Sequence, residues 1–134
     1  MQHILMLAIS LHVLAAVFWA GSTFALAGMA GSGSERLFVP QMFAAALAIL
    51  VGGYLWHTLH RGAFETMEKI LGVGIVCALM ALGVQLVVAG VALRSLSRHI
   101  GDADAQRSRI AVAHRLAAGL LAVATLSMAA ARFA

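Results

Sequence analysis

The chain has 134 residues, of which 63% are hydrophobic and only 10% charged. A soluble domain carries about 25% charged residues, so a soluble composition is excluded. The formal net charge of +4 does not indicate nucleic-acid binding, because the basic residues stand at the ends of apolar runs, where membrane anchoring places them.

Four stretches, 1–34, 37–60, 70–93 and 116–131, contain no Lys, Arg, Asp or Glu. A membrane-spanning helix needs roughly 20 apolar residues. Three of the stretches reach that outright. The fourth reaches it by starting near Ile110, with the Arg115 side chain extended toward the headgroups. Strand-period alternation is absent, and lipid-exposed backbone must be satisfied internally. The expected fold is therefore all-α: an integral membrane four-helix bundle in a single transmembrane domain over 1–134, with helices at about 4–29, 40–60, 69–95 and 107–131. The first run lacks a basic leader and a small-x-small cleavage site, so it is expected to be a retained helix rather than a signal peptide.

The first helix holds His12 among Leu, Val and Ala, and Trp19 follows seven residues later on the same face. That face also carries Leu5, Ala8, Ile9, Ala15, Ala16 and Thr23. Small residues let helices approach closely in lipid, so the stripe is expected to face the bundle. The segment 28–36 reads as a loop from its Gly and Ser content. Pro40 suits the opening of the second helix, where its missing N–H is not needed. This helix ends in Gly52-Gly53-Tyr54-Leu55-Trp56-His57-Thr58-Leu59-His60, and Gly53, one turn before His57, leaves a gap on its face.

A short loop, Arg61 to Glu68, leads to the third helix. Gly72, Gly74, Gly83 and Gly90 offer that helix a smooth packing face, and Gln85 is its mid-membrane polar side chain, expected to make an interhelical hydrogen bond. The single cysteine, Cys77, excludes an internal disulfide and reads as a small buried hydrophobe. In the loop 96–109, Asp104 is a plausible N-cap for an alanine-rich fourth helix.

Four spans put both termini on one side of the membrane. That side carries Arg61, Lys69 and Arg132, and the other carries Arg36, Arg94, Arg98, Arg107, Arg109 and Arg115. The positive-inside rule makes the richer side cytoplasmic. Both termini are then periplasmic, and His3, His12, His57 and His60 gather toward the outer face. Imidazole suits copper, zinc and haem iron. His12, His57 and His60 can supply nitrogens to a copper ion, with the thioether of Met6 as an auxiliary ligand. Alternatively His12 and His57, on different helices at comparable depth, are candidate axial ligands of haem b, with Gly52, Gly53 and the alanines near His12 making room for a flat macrocycle. Other readings weigh against some of these residues. His60, beside Arg61, also reads as an interfacial residue, His3 as a solvated terminal residue, and His114 and Lys69 as helix-end anchors. No carboxylate pair, nucleophile elbow or phosphate loop points to hydrolysis.

The run Leu11-His12-Val13-Leu14-Ala15-Ala16-Val17-Phe18-Trp19-Ala20-Gly21 resembles the first-helix motif of the copper resistance protein D (CopD-like) family. Gly52-Gly53-Tyr54, Lys69 with Ile70-Leu71-Gly72-Val73, and the segment from Arg107 to Phe133 resemble its later helices. The resemblance implies an inner-membrane protein of copper uptake or resistance. The HemJ-type protoporphyrinogen oxidases share the His-to-Trp spacing and a third-helix lysine. Similarity to that group implies haem ligation by His12 and an active-site role for Lys69. Three functions follow as expectations for a multi-pass protein of the bacterial inner membrane. The first is copper binding or transport at the periplasmic face, the second a small b-type cytochrome, and the third a structural subunit of a larger membrane complex. The first favours a homo-oligomer, since one copy is small for a conduction path.

Overall fold

The computed structural model describes residues 1–60, 62 and 65–134. The sequence-based loop assignment at Arg61, Ala63 and Phe64, and the topological weight given to Arg61, lie outside the described residues. Among the described residues the chain is all-α, with helices α1 (Gln2–Gly28), α2 (Ser34–Leu59), α3 (Thr66–Ser97) and α4 (Ala103–Ala131). Each is long and apolar enough to cross a membrane, so the integral membrane four-helix bundle expected from the charge-free runs is the observed architecture.

Burial is inverted relative to a soluble protein. Ala45, Ala81, Ala113 and Ala117 are fully buried, while Leu14, Leu50 and Leu126 are about 70% exposed. In lipid, large apolar side chains lose nothing by facing outward, whereas small ones let backbones close on each other. The buried stripe of α1, Ala15, Trp19, Thr23 and Leu26, follows the expected face from Ala15 onward, whereas Leu5 and Ala8 are half-buried and Ile9 is exposed.

Helix ends differ from expectation for local reasons. Gly31 and Gly33 take left-handed φ of 80° and 88° and reverse the chain quickly, so α2 begins at Ser34 and Pro40 falls inside it rather than opening it. Pro40 there removes one N–H, the one that would meet the Arg36 carbonyl. Arg36 is exposed, which leaves that carbonyl accessible to water or headgroups. α3 starts earlier than expected through a capping box, in which the Glu65 N–H donates to Glu68 Oε2 at 3.1 Å. The cap of α4 is Asp102, not Asp104, and its carboxylate accepts the Asp104 N–H at 3.1 Å.

The α3–α4 seam closes on Gly74. A Cβ added there would stand 3.1 Å from the Ala124 carbonyl oxygen and 3.3 Å from Ser127 Cβ. Gly90 is the second close position, 3.1 Å by the same measure from the Phe38 ring of α2. Gly72 and Gly83, assigned to the same smooth face from sequence, would meet nothing within 4 Å. The Gly90 end of α3 is thus fastened to α2 through Phe38, while their halves on the side of the chain termini both line the cavity described below. Gly74→Ala should therefore lower stability by about 1–3 kcal/mol, because the neighbour is backbone and must shift. Gly83→Ala should be neutral or stabilising by up to about 1 kcal/mol. Thermal unfolding of the two variants in detergent distinguishes these outcomes.

Candidate functional site

His12 lies in the middle of α1 with its ring against the turn 48–52 of α2. Its Nδ1 is 2.8 Å from the Ala48 carbonyl oxygen. A carbonyl only accepts, so Nδ1 carries the proton and donates, and Nε2 keeps its lone pair. Gly52 makes the approach possible, since a Cβ at that position would stand 2.9 Å from His12 Cε1. An imidazole whose Nδ1–H is tied to a backbone carbonyl is held in one tautomer and one orientation, the arrangement by which proteins prepare a histidine to ligate through Nε2.

His12 lines a cavity of about 440 Å³ between the four helices, in their halves on the side of the chain termini. Its walls are almost wholly apolar: Ala16 and Ala20 of α1, Ile49 and Leu55 of α2, Leu71 and Ile75 of α3, Leu121 and Met128 of α4. Trp19 closes the inner end, and Trp56 and His60 stand toward the end of α2. Among the described residues, the polar side chains here are His12, Trp19, Trp56, His60 and Thr125. The Thr125 hydroxyl is engaged, donating to the Leu121 carbonyl at 2.8 Å.

The residues singled out from sequence separate into two sets. His12, Trp19, Gly53 and His60 line the cavity. His57, Met6 and Lys69 do not, and all three are exposed. His57 and His60 are three apart, but His60 is the residue that caps α2 and turns toward the cavity, which leaves His57 on the outer surface. Met6 is about a turn and a half before His12 and 59% exposed. The expected convergence of His12, His57 and His60 on one ion is not formed, and no group of three His, Cys, Asp or Glu side chains able to hold a metal occurs among the described residues. The glycine that accommodates His12 is Gly52, while Gly53 leaves open space beside the cavity.

Below the cavity lies a second polar feature, which sequence reasoning caught only at Gln85. The Trp19 Nε1–H donates to Gln85 Oε1 at 2.7 Å. Gln85 Nε2 donates to Thr23 Oγ1 at 2.9 Å and faces His114 Nδ1 at 3.5 Å. Gln41 Nε2 donates to Thr23 Oγ1 at 2.9 Å and to Ser22 Oγ at 3.1 Å. His114 Nε2 is 3.1 Å from Ser34 Oγ, and that hydroxyl donates to the Gly31 carbonyl. His114 is therefore a fully buried member of an interhelical network and not the helix-end anchor expected from its position beside Arg115. Topology held the missing signal. Thr23 near the end of α1, Gln41 near the start of α2, Gln85 late in α3 and His114 early in α4 all fall at one depth once the spans are drawn.

Gln85 also opens a π-helical turn, Gln85–Ala89, within α3. Such turns add a residue to one turn and re-aim the side chains around it. No protein-family model, curated protein or solved structure matches this chain.

Gln85→Leu should strand the Trp19 N–H and leave Thr23 and His114 each short of a donor. The expected cost is about 1–3 kcal/mol in thermal unfolding, with a shift in tryptophan emission as Trp19 loses its partner. Gln106→Leu, at the edge of α4 and outside the network, should move neither.

Proposed function

We propose that this chain is a small membrane haem protein whose cavity would hold haem b, with His12 Nε2 as the nitrogen that would bind its iron. The observation that carries the reading is the His12 ring itself, anchored through Nδ1 to the Ala48 carbonyl beside a large apolar cavity. A bare copper ion would have to draw its whole donor set from the protein, and His57 and Met6 lie away from His12. Haem brings its own ring nitrogens and needs only axial ligation and apolar walls. A volume of about 440 Å³ falls within the range of roughly 300–1,000 Å³ usual for small-molecule and cofactor sites. The same His12 is the ligand implied by the resemblance to the HemJ-type group.

Haem iron, when bound, supplies one-electron chemistry. The chain's own residues orient it and exclude water. Gly52 sets the position of the imidazole, Trp19 closes the inner end, and the leucines and isoleucines of α2 and α3 form the faces. The distribution of basic residues supports a bacterial inner-membrane location with both termini periplasmic, which puts the cavity in the outer leaflet. Assembly with further copies or a larger membrane complex belongs to the same proposal, because an electron carrier needs a partner within reach.

The protein, expressed in membranes and purified in detergent, should show a Soret band and, after dithionite reduction, an α-band. His12→Ala should abolish both. His99→Ala, in the α3–α4 loop on the opposite side, should leave them intact. Gly52→Ala should weaken haem retention about tenfold by displacing the ring. Equal retention in the two histidine variants would sink the assignment. Copper without a Soret band would favour a copper protein, and neither cofactor would favour a structural subunit.

A further inference from the structure

The bundle around the cavity is not closed equally on all sides. Among the described residues, α3 packs closely on α4, and α1 packs on both α2 and α4. The packing of α2 against α3 gathers instead at the Gly90 end of α3, where Phe38 meets Gly90. Nearer the chain termini the two helices face each other across the cavity, which takes Gly53 and Leu55 from α2 and Ile75 and Leu79 from α3. Gly53 is exposed although it lines the cavity, and Ile75 and Leu79 are 36% and 48% exposed. A Cβ at Gly53 would meet nothing within 4 Å, so the α2 edge stands clear of α3. These three residues frame a slot that leads from the outside of the bundle to His12 and Trp19.

The depth of the slot determines what lies outside it. Gly53 comes six residues before the end of α2 at Leu59, about 9 Å of helix at 1.5 Å per residue. Ile75 comes nine residues after the start of α3 at Thr66, about 14 Å. Both stand inside the charge-free runs 37–60 and 70–93, which hydrocarbon surrounds. The slot therefore faces sideways into the acyl chains. Its rim is glycine, isoleucine and leucine, with no charged side chain to receive an ion. A polar solute would have to shed its water and cross hydrocarbon to arrive there, at a cost of several kcal/mol. A molecule already dissolved in the bilayer meets no such barrier.

We propose that the cavity is loaded sideways from the bilayer, through the slot between Gly53 of α2 and Ile75 and Leu79 of α3, and that its ligand is a molecule carried in the hydrocarbon of the membrane. This rests on the reading of the cavity as a ligand site and not on the identity of the ligand. Haem b, apolar over most of its area, is one molecule of that class.

Trp19, at the inner end of the cavity, reports on what enters. In Trp56→Phe protein it is the sole tryptophan. Its emission should largely disappear when the purified chain is moved from dioleoyl phosphatidylcholine vesicles to vesicles of the same lipid brominated in mid-chain, because bromine quenches an indole at contact. Gly53→Phe on that background places a ring in the slot and should restore most of the emission. Gly119→Phe, at an exposed position of α4 where a Cβ also meets nothing within 4 Å, should restore none. Haem b dissolved in the vesicles beforehand should reach wild-type and Gly119→Phe protein at one rate and Gly53→Phe protein about tenfold more slowly, as a raised entry barrier requires, read from the growth of the Soret band. Emission that survives in brominated lipid, as it would with a second copy of the chain seated over the slot, overturns the lateral route. Quenching or haem loading that Gly53→Phe leaves unchanged overturns it too, with haem binding intact. The expected quenching pattern without a Soret band in any variant overturns the haem reading and supports the bilayer route.

Discussion

Gln85 brings two N–H donors and a carbonyl acceptor into the middle of a bundle surrounded by hydrocarbon, and much of the structure follows from satisfying them. No water is available there to take their place, so an unmet amide costs what full desolvation costs. The carbonyl takes the indole N–H of Trp19 at 2.7 Å. The amide nitrogen meets Thr23 and faces His114. Through these contacts one side chain of α3 fixes the rotation of α1 and the depth of α4. The π turn that begins at Gln85 lies where α3 must serve these partners and still bring Gly90 against Phe38.

The network has a direction that settles its protons. The hydroxyl of Ser34 gives its hydrogen to the Gly31 carbonyl, so it can only accept from His114. His114 is then the Nε2–H tautomer, and its Nδ1 is free to accept from Gln85. The Thr23 hydroxyl donates to the Trp19 carbonyl at 2.7 Å and accepts from both glutamines. Every hydrogen is assigned once, and within this cluster Gln41 Oε1 alone lacks a donor. A polar layer of this kind specifies one packing of four alanine-rich helices that would otherwise slide over each other, because any slip of register leaves buried groups unmet. It also fixes Trp19, so the inner end of the cavity is set by the same bonds.

Four charge-free runs are enough to read the fold, since lipid leaves helices as the only solution for such segments. Helix ends are less legible. Pro40 looks like a start signal, but Gly31 and Gly33 turn the chain sooner, and Ser34 is already needed inside the bundle. The site is half legible. His12 and Trp19 stand out because periodicity puts them on one face, and that face is buried as expected. The partner of His12 on α2 is harder to see. His57 has the right depth, but depth says nothing of azimuth, and which of two histidines three residues apart turns inward depends on how the end of α2 unwinds at His60. The polar layer escapes a helix-by-helix reading for a related reason. Each of its members is unremarkable alone, and only their common depth across antiparallel spans brings them together.

The contrast between half-buried His12 and fully buried His114 lies in how many ring nitrogens the bundle answers. Both sit in apolar helices, and both cost free energy to bury unless their nitrogens are met. His114 has both nitrogens answered within the bundle, one by Ser34 and one by Gln85, and is fully buried. Its ring is a structural part, and nothing further can approach it. His12 has one nitrogen answered, by a backbone carbonyl that cannot be titrated away, and its ring borders open space made by a missing Cβ at Gly52. The bond at Nδ1 holds the ring, and the unengaged Nε2 is what it offers. The same rule of hydrogen-bond satisfaction separates the two: the bundle answers both nitrogens of His114 and only Nδ1 of His12 among the described residues.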